Sequence, residues 1–255
     1  MIANYHTHTV RCGHAVGPDR AYVETAIRRG LKTLGFSEHV PMPFPDGHES
    51  SYRLPRRLLD DYVQSILSLK TEYRNDIEIR LGFEAEYYPD LFEAMLDLLR
   101  PFPVDYLLLG QHFNDSSERV YHTNPQLAQS ALVRYADVAL EGLTTGCFSC
   151  FAHPDLMHYI GPKRIYLREM TRLINGAIAL GIPLEINMLG IREHKNYPNA
   201  NFWTLAGELG ASVILGCDAH TPEHVADPDN LRDVEAFAAR FQITPLKDIS
   251  LKKPS

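Results

Sequence analysis

Cysteine, basic charge and long apolar runs are what this 255-residue sequence has least of. No stretch approaches the roughly eighteen apolar residues of a membrane span, so no membrane partner is expected. The formal charge is −7, which removes the basic stripe that a general nucleic-acid binder needs to release counterions. A local positive site for a small phosphorylated ligand is still compatible with that balance. The first residues form a short apolar run without the basic and apolar regions of a secretory leader, so a cytoplasmic protein is expected. Of the four cysteines (Cys12, Cys147, Cys150, Cys217), Cys147-Phe-Ser-Cys150 has redox-motif spacing, but no second pair completes a structural zinc site. Small buried hydrophobes on strands are the expected role. Low-complexity segments are missing, and so is a Gly-x-Gly-x-x-Gly after the first strand, which leaves a dinucleotide-binding sheet unsupported.

What is present is a regular alternation of short apolar runs with longer amphipathic ones. Strands are predicted at residues 2–6, 33–37, 77–84, 104–110, 148–153, 183–187 and 212–216. Asp19 reads as the cap of a helix over 20–29, and Asn124-Pro125 as the cap and first turn of a helix carrying Leu127, Ala131, Tyr135 and Val138. Leu59, Tyr62, Val63, Ile66 and Leu69 share one face of another helix, as do Leu167, Met170, Ile174 and Ala177; Phe202, Leu205 and Leu209 mark one more. Residues 29–35, 180–186 and 209–215 repeat one pattern of helix end, glycine, short turn and apolar strand. Such alternation gives a parallel sheet with right-handed crossovers. An apolar content of 45% suffices for one sizeable core, so a single α/β domain over 1–255 is predicted, a seven-stranded TIM-like barrel.

Histidine is the abundant residue, with twelve copies. His6 and His8 lie one residue apart at the end of the first strand, and side chains at i and i+2 of a strand point to one face. The other strand ends carry Ser37-Glu38-His39, Gly82-Phe83-Glu84, Gln111-His112, His153-Pro154-Asp155, Glu185-Ile-Asn187 and Asp218-Ala-His220, with His14 in the loop after the first strand. Parallel barrels build their active sites at that rim. Taken singly, each residue could be a loop carboxylate or a hydrogen-bonded core imidazole. Seven histidines, a glutamate and an aspartate at one rim predict a multi-metal site, and nitrogen and oxygen donors without thiolate suit Zn, Mn or Fe.

In their order along the chain, from His6-Thr-His8-Thr9 to Asp218-Ala-His220, these motifs resemble the polymerase and histidinol phosphatase (PHP) metallohydrolases, and among them the histidinol-phosphatase group. The resemblance implies a distorted (β/α)7 barrel and three divalent metal ions. One would take His6, His8, Glu84 and Asp218; a second would share Glu84 and take His112 and His153; the third would take His14, His39 and His220. It implies hydrolysis of a phosphomonoester by a metal-activated hydroxide, with Asp218 or His220 returning a proton to the leaving alcohol. Glu38 and Asp155 read as holders of ligand imidazoles.

For the substrate, Asn187-Met-Leu-Gly190-Ile-Arg192 resembles the stretch whose arginine grips phosphate in histidinol phosphatases. L-histidinol phosphate is therefore the expected substrate and histidine biosynthesis the expected setting. Lys163 and Arg164 form a second cationic pair in reach of a phosphate. The loop VPMPFPDGHESSYRL (40–54) is long and proline-rich, as lids and specificity loops are, and offers His48, Glu49, Tyr52 and Arg53 to a substrate's imidazole or amine. His122, His158, His194 and His224 have no assigned role, with exposure as the default. Three alternatives remain at this stage. An amidohydrolase would want eight strands and commonly a bridging lysine. A PHP phosphatase could act on a nucleotide, sugar phosphate or phosphotyrosine. A non-catalytic metal-binding module would need a partner domain, and only a short tail to Ser255 follows the last helix. No oligomeric state is indicated.

Overall fold

A computed structural model describes residues 1–254. Seven parallel strands pair in sequential order: β1 (Ala3–Asn4), β2 (Thr33–His39), β3 (Glu78–Ala85), β4 (Tyr106–Leu109), β5 (Phe148–Phe151), β6 (Leu184–Asn187) and β7 (Val213–Gly216). Each predicted strand is present. Packed around them are α1 (Asp19–Arg28), α2 (Leu59–Glu72), α3 (Phe92–Leu99), α4 (Gln129–Thr144), α5 (Lys163–Ala179), α6 (Met188–Arg192), α7 (Ala200–Glu208) and α8 (Pro228–Arg240). The result is the expected distorted (β/α)7 barrel. It is nearly closed rather than closed. Across the seam between β7 and β1, Thr7 and Ala219 form an isolated bridge, and the Asn4 side chain accepts the Cys217 N–H at 2.8 Å. No helix among the described residues is long and apolar enough to cross a membrane.

The helices dock through the stripes their sequences carry. In α2 the buried residues are Leu59, Tyr62, Val63, Ile66 and Leu69, the set its periodicity predicts. Gly30, Gly181 and Gly210 each have positive φ just past a helix end, which explains the repeated glycine of the three 29–35-like segments. Two local expectations fail for tertiary reasons. Asp19 does not cap α1; its carboxylate is drawn aside by Arg11 (2.8 Å) and the Ser65 hydroxyl (2.6 Å). The helix predicted from Asn124-Pro125 starts only at Gln129, because Gln126 pairs with the 158–160 segment instead and leaves Leu127 68% exposed. The four cysteines are free and buried, as expected.

At the N-terminal ends of the strands the barrel is filled by Ala3, Tyr5, Tyr106, Leu108, Cys150, Ala152 and Ile214. The Tyr106 hydroxyl donates to the carbonyls of Tyr5 (2.6 Å) and Phe36 (3.1 Å), which satisfies its one polar atom inside the core. The C-terminal tail covers this end. Ile249 and Leu251 pack against the cluster, the Lys252 N–H donates to Ser149 Oγ at 2.8 Å, and the Tyr5 hydroxyl donates to Asp248.

Candidate metal centre

The opposite rim gathers the predicted side chains. His6 and His8 follow β1, His39 and Glu84 lie in β2 and β3, and His112, His153, Asp218 and His220 follow β4, β5 and β7. Glu84 is at the middle. Its carboxylate lies 2.7 Å from His153 Nε2, 3.1 Å from His39 Nδ1, 3.4 Å from His6 Nε2, 3.5 Å from His8 Nε2 and 3.6 Å from His112 Nε2. It fits there because residue 110 has no side chain: a Cβ on Gly110 would stand 1.9 Å from Glu84 Oε1. Asp218 reaches His8 at 3.3 Å, His220 at 3.4 Å and His6 at 3.6 Å. His14 is on the outer side, its ring 4.8 Å from that of His220 and 5.5 Å from that of His39. His153 and Asp218 hold positive φ (31° and 44°), a strained backbone that costs about 1–3 kcal/mol each and is characteristic of functional sites.

Behind three of the imidazoles stand carboxylates. His6 Nδ1 lies 2.9 Å from Glu185, His8 Nδ1 3.3 Å from Glu38, and His112 Nδ1 2.7 Å from Glu86. A carboxylate that accepts from Nδ1 fixes the tautomer and leaves the Nε2 lone pair facing the cluster. Glu38 plays the part its position predicts. Glu185 and Glu86 were unassigned in sequence, although each stands two residues from another polar site residue, Asn187 and Glu84. Asp155 differs from expectation: it accepts from the Trp203 indole N–H (2.9 Å) and the Asn199 N–H, and so anchors α7 rather than an imidazole.

The chemistry of the donor set fits divalent metal. His6 Nε2, His8 Nε2, His39 Nδ1, His220 Nε2, Glu84 Oε2 and Asp218 Oδ1 are buried without a hydrogen-bond partner among the described residues. Leaving so many buried polar atoms unpaired is costly unless something is bound there. Sets of three donor atoms within 4.8 Å of one another include His6–His8–Glu84, His6–His153–Asp218 and His8–His39–His220.

Above the cluster opens a cavity of about 620 Å³, lined by His14, His39, Glu84, His112, His153, Asp218 and His220 on its floor. Tyr52, Phe113, Tyr121, Leu189 and Tyr197 supply apolar walls, and Glu193 and Lys195 sit at the edge, 3.0 Å apart. Lys195 is a cation that the motif reading passed over. Arg192 ends α6 with all three guanidinium nitrogens buried and unpartnered among the described residues. Lys163 and Arg164 are both exposed in the first turn of α5, and neither they nor Arg192 are among the residues that line this cavity. In the 40–54 loop Tyr52 lines the cavity, whereas His48 and Glu49 are exposed and Arg53 is buried in an ion pair with Glu86. His122 is buried, not exposed, and burial pushes its imidazole down to about 3.

A model of the PHP domain matches residues 4–188. The chain belongs to the PHP family. Among curated PHP relatives, a histidinol-phosphatase of Bacillus subtilis is 34% identical, the match covering 84% of this chain and 92% of that one. A protein of Deinococcus radiodurans named "Probable histidinol-phosphatase" is 28% identical over 94% of this chain and 96% of its own. The crystal structure of a Lactococcus lactis histidinol phosphate phosphatase, complexed with zinc, L-histidinol and phosphate, has the same fold. It gives a TM-score of 0.73 at 20% identity, covering 97% of this chain and 98% of that one. The protein is thus an enzyme of the PHP, histidinol-phosphatase-like class of metal-dependent hydrolases, a phosphatase for a small phosphorylated substrate.

The PHP site is electrostatically divided. Burial alone would raise Glu84 and Asp218, but the surrounding imidazoles, His6 foremost, hold both carboxyls well below the usual range. Burial works against a charged His8 too, yet the carboxylates of Asp218 and Glu38 beside it lift it to about 9. His220 goes the other way: burial and the neighbouring His8 push it down to about 3, a neutral imidazole. The acids at the centre draw positive charge, and the outer histidines stay neutral donors.

Proposed function

We propose that the chain hydrolyses L-histidinol phosphate to histidinol and phosphate, as a cytoplasmic enzyme of histidine biosynthesis. The observation that carries the reading is the floor of unpaired imidazole and carboxylate donors beneath a cavity of small-molecule size. Support for the substrate comes from the Bacillus subtilis relative's name and from the histidinol and phosphate bound in the Lactococcus lactis enzyme. Three divalent ions, Zn, Mn or Fe, suit the donors. His6, His8, Glu84 and Asp218 would hold one; Glu84, His112 and His153 the second; His14, His39 and His220 the third. His8 stands between the first and third sets, its ring 4.3 Å from those of His39 and His220. Bound there, such ions acidify a water and neutralise phosphoryl oxygens.

The chain's own groups orient the ester and manage its protons. Arg192, next to the cavity-lining Glu193 but not itself in the lining, has a planar fork that is not committed to any carboxylate and would reach a phosphate by turning toward the cavity. Lys195 at the cavity edge takes the supporting cationic role in preference to Lys163 and Arg164. Asp218 and His220, both lining the cavity floor, are the groups that would relay a proton from water to the leaving oxygen. The aromatic wall of Tyr52, Phe113, Tyr121 and Tyr197 excludes solvent around the organic half of the substrate.

The test is phosphate release from L-histidinol phosphate beside a panel of other phosphomonoesters, before chelation, after it and after metal return. Metal-dependent preference for histidinol phosphate is expected. Metal-dependent activity that peaks on a sugar phosphate, nucleotide or phosphotyrosine would retain the metals and replace the substrate.

A further inference from the structure

Arg53 is among the most buried charges in the molecule, 3% exposed, although it comes from the long loop that follows β2. Its guanidinium joins two carboxylates. Nη1 lies 2.5 Å from Glu86 Oε2, an ion pair without hydrogen-bond geometry, and Nη2 and Nε donate to Glu118 Oε1 at 2.5 and 3.1 Å. Glu86, 1% exposed, uses its other oxygen to accept from His112 Nδ1 at 2.7 Å. Glu118 belongs to the loop after β4, where it sits at φ +49° and also accepts from the hydroxyls of Tyr88 (3.0 Å) and Tyr52 (3.2 Å). The two loops linked in this way provide cavity walls: Tyr52 from one, and from the other Tyr121, whose ring is stacked on His112 at 5.6 Å and 8°.

We propose that Arg53 is a positioning residue for the metal centre: through Glu86 it sets His112, and through Glu118 it couples the closure of both cavity loops to metal retention. This rests on the reading of His112 as a metal ligand. The relay runs Glu118–Arg53–Glu86–His112. A buried carboxylate whose one oxygen lies against a guanidinium charge pinned by Glu118 is drawn toward that charge, so its other oxygen stays where Nδ1–H needs it, and Nε2 stays aimed at the cluster. A guanidinium presents two edges in fixed geometry, and here each edge serves a different carboxylate. An ammonium in its place would keep the charge and lose the fixed angle between the two contacts. Linkage makes the effect reciprocal: whatever tightens metal binding through the relay must also tighten the loops when metal binds.

The experiment strips the full-length protein with a chelator, reloads it with Mn or Zn alone, and follows metal release to a coloured chelator. Arg53→Met and Glu86→Gln are each expected to release metal roughly 10- to 100-fold faster than wild type, with the double variant no faster than either single one. Arg53→Lys should fall between Arg53→Met and wild type. Lys70→Met, which removes an ion pair with Asp105 (2.8 Å) away from the centre, should release at the wild-type rate. In wild type, added metal should slow amide exchange over residues 113–122, and in Arg53→Met it should not. If Arg53→Met melts earlier but holds metal as wild type does, Arg53 is only a loop pin and the relay is wrong. Should that variant not fold, Arg53→Lys and Glu118→Gln carry the test, and wild-type release from both overturns the relay. A wild-type chain that binds no metal overturns the metal reading and the relay together.

Discussion

The two ends of the barrel are built on opposite terms. At the N-terminal end of the strands, apolar groups fill the interior, the one Tyr106 hydroxyl proton is shared between two carbonyls, and a tail is laid across the opening. At the C-terminal end, buried imidazoles and carboxylates crowd together with atoms left unpaired, and His153 and Asp218 among them hold positive φ. One end provides cohesion. The other end concentrates unfavourable burial and strain where ligand binding can offset them, the usual separation between stability and function in barrels.

Substitutions at the two ends should therefore read out in different assays. The largest effect is expected at Glu84, which touches five imidazoles. Glu84→Gln should lower kcat/KM by about 10²–10³-fold or more and reduce metal content, as steady-state kinetics and metal analysis would record. Retained activity would mean that the upper end is not organised around this carboxylate. Deleting residues 247–255 should cost about 2–4 kcal/mol in denaturant unfolding while kcat and metal content of the folded enzyme hold; lost metal would show that the ends are not independent. Arg192→Ala is expected to lower kcat/KM about 10- to 100-fold, the loss of a charged hydrogen-bonding partner. Glu185→Gln should weaken metal binding by about 10- to 100-fold, visible by competition with a chelator. Lys163→Ala should be the least consequential, changing kcat/KM by less than about twofold, because that side chain is exposed outside the cavity.

The same division governs what the sequence makes legible. Strands and rim residues are readable because each apolar run ends in a chemically distinctive group, and the i, i+2 spacing of His6 with His8 and of Asp218 with His220 is a local signal. Glu86 and Glu185 are harder, since a glutamate that backs an imidazole looks like any loop or strand carboxylate until His112 and His6 are brought against it. The start of α4 departs from its local signal: Asn124-Pro125 is a sound helix start, and pairing of Gln126 with the 158–160 segment outweighs it. Asp19 and Asp155 fail in the same manner: each has the right local position for a cap or an imidazole holder, and a distant partner, Arg11 or Trp203, claims it. The tail over the lower end has no periodicity to find.

The thinly bridged seam between β7 and β1 gives the site residues a second consequence. His6 and His8 lie on one side of it and Asp218 and His220 on the other, about 210 residues later in the chain. Under the proposed ligand assignment, an ion shared by His6 and Asp218 would be a removable cross-link that closes most of the polypeptide into a ring. By the loop-entropy relation that describes disulfides, a closure of that length is worth about 5 kcal/mol, provided the unfolded chain also keeps the link. Metal ions leave the unfolded chain easily, so the stabilisation would follow ion concentration instead, and the barrel's stability would become a reading of the metal around it.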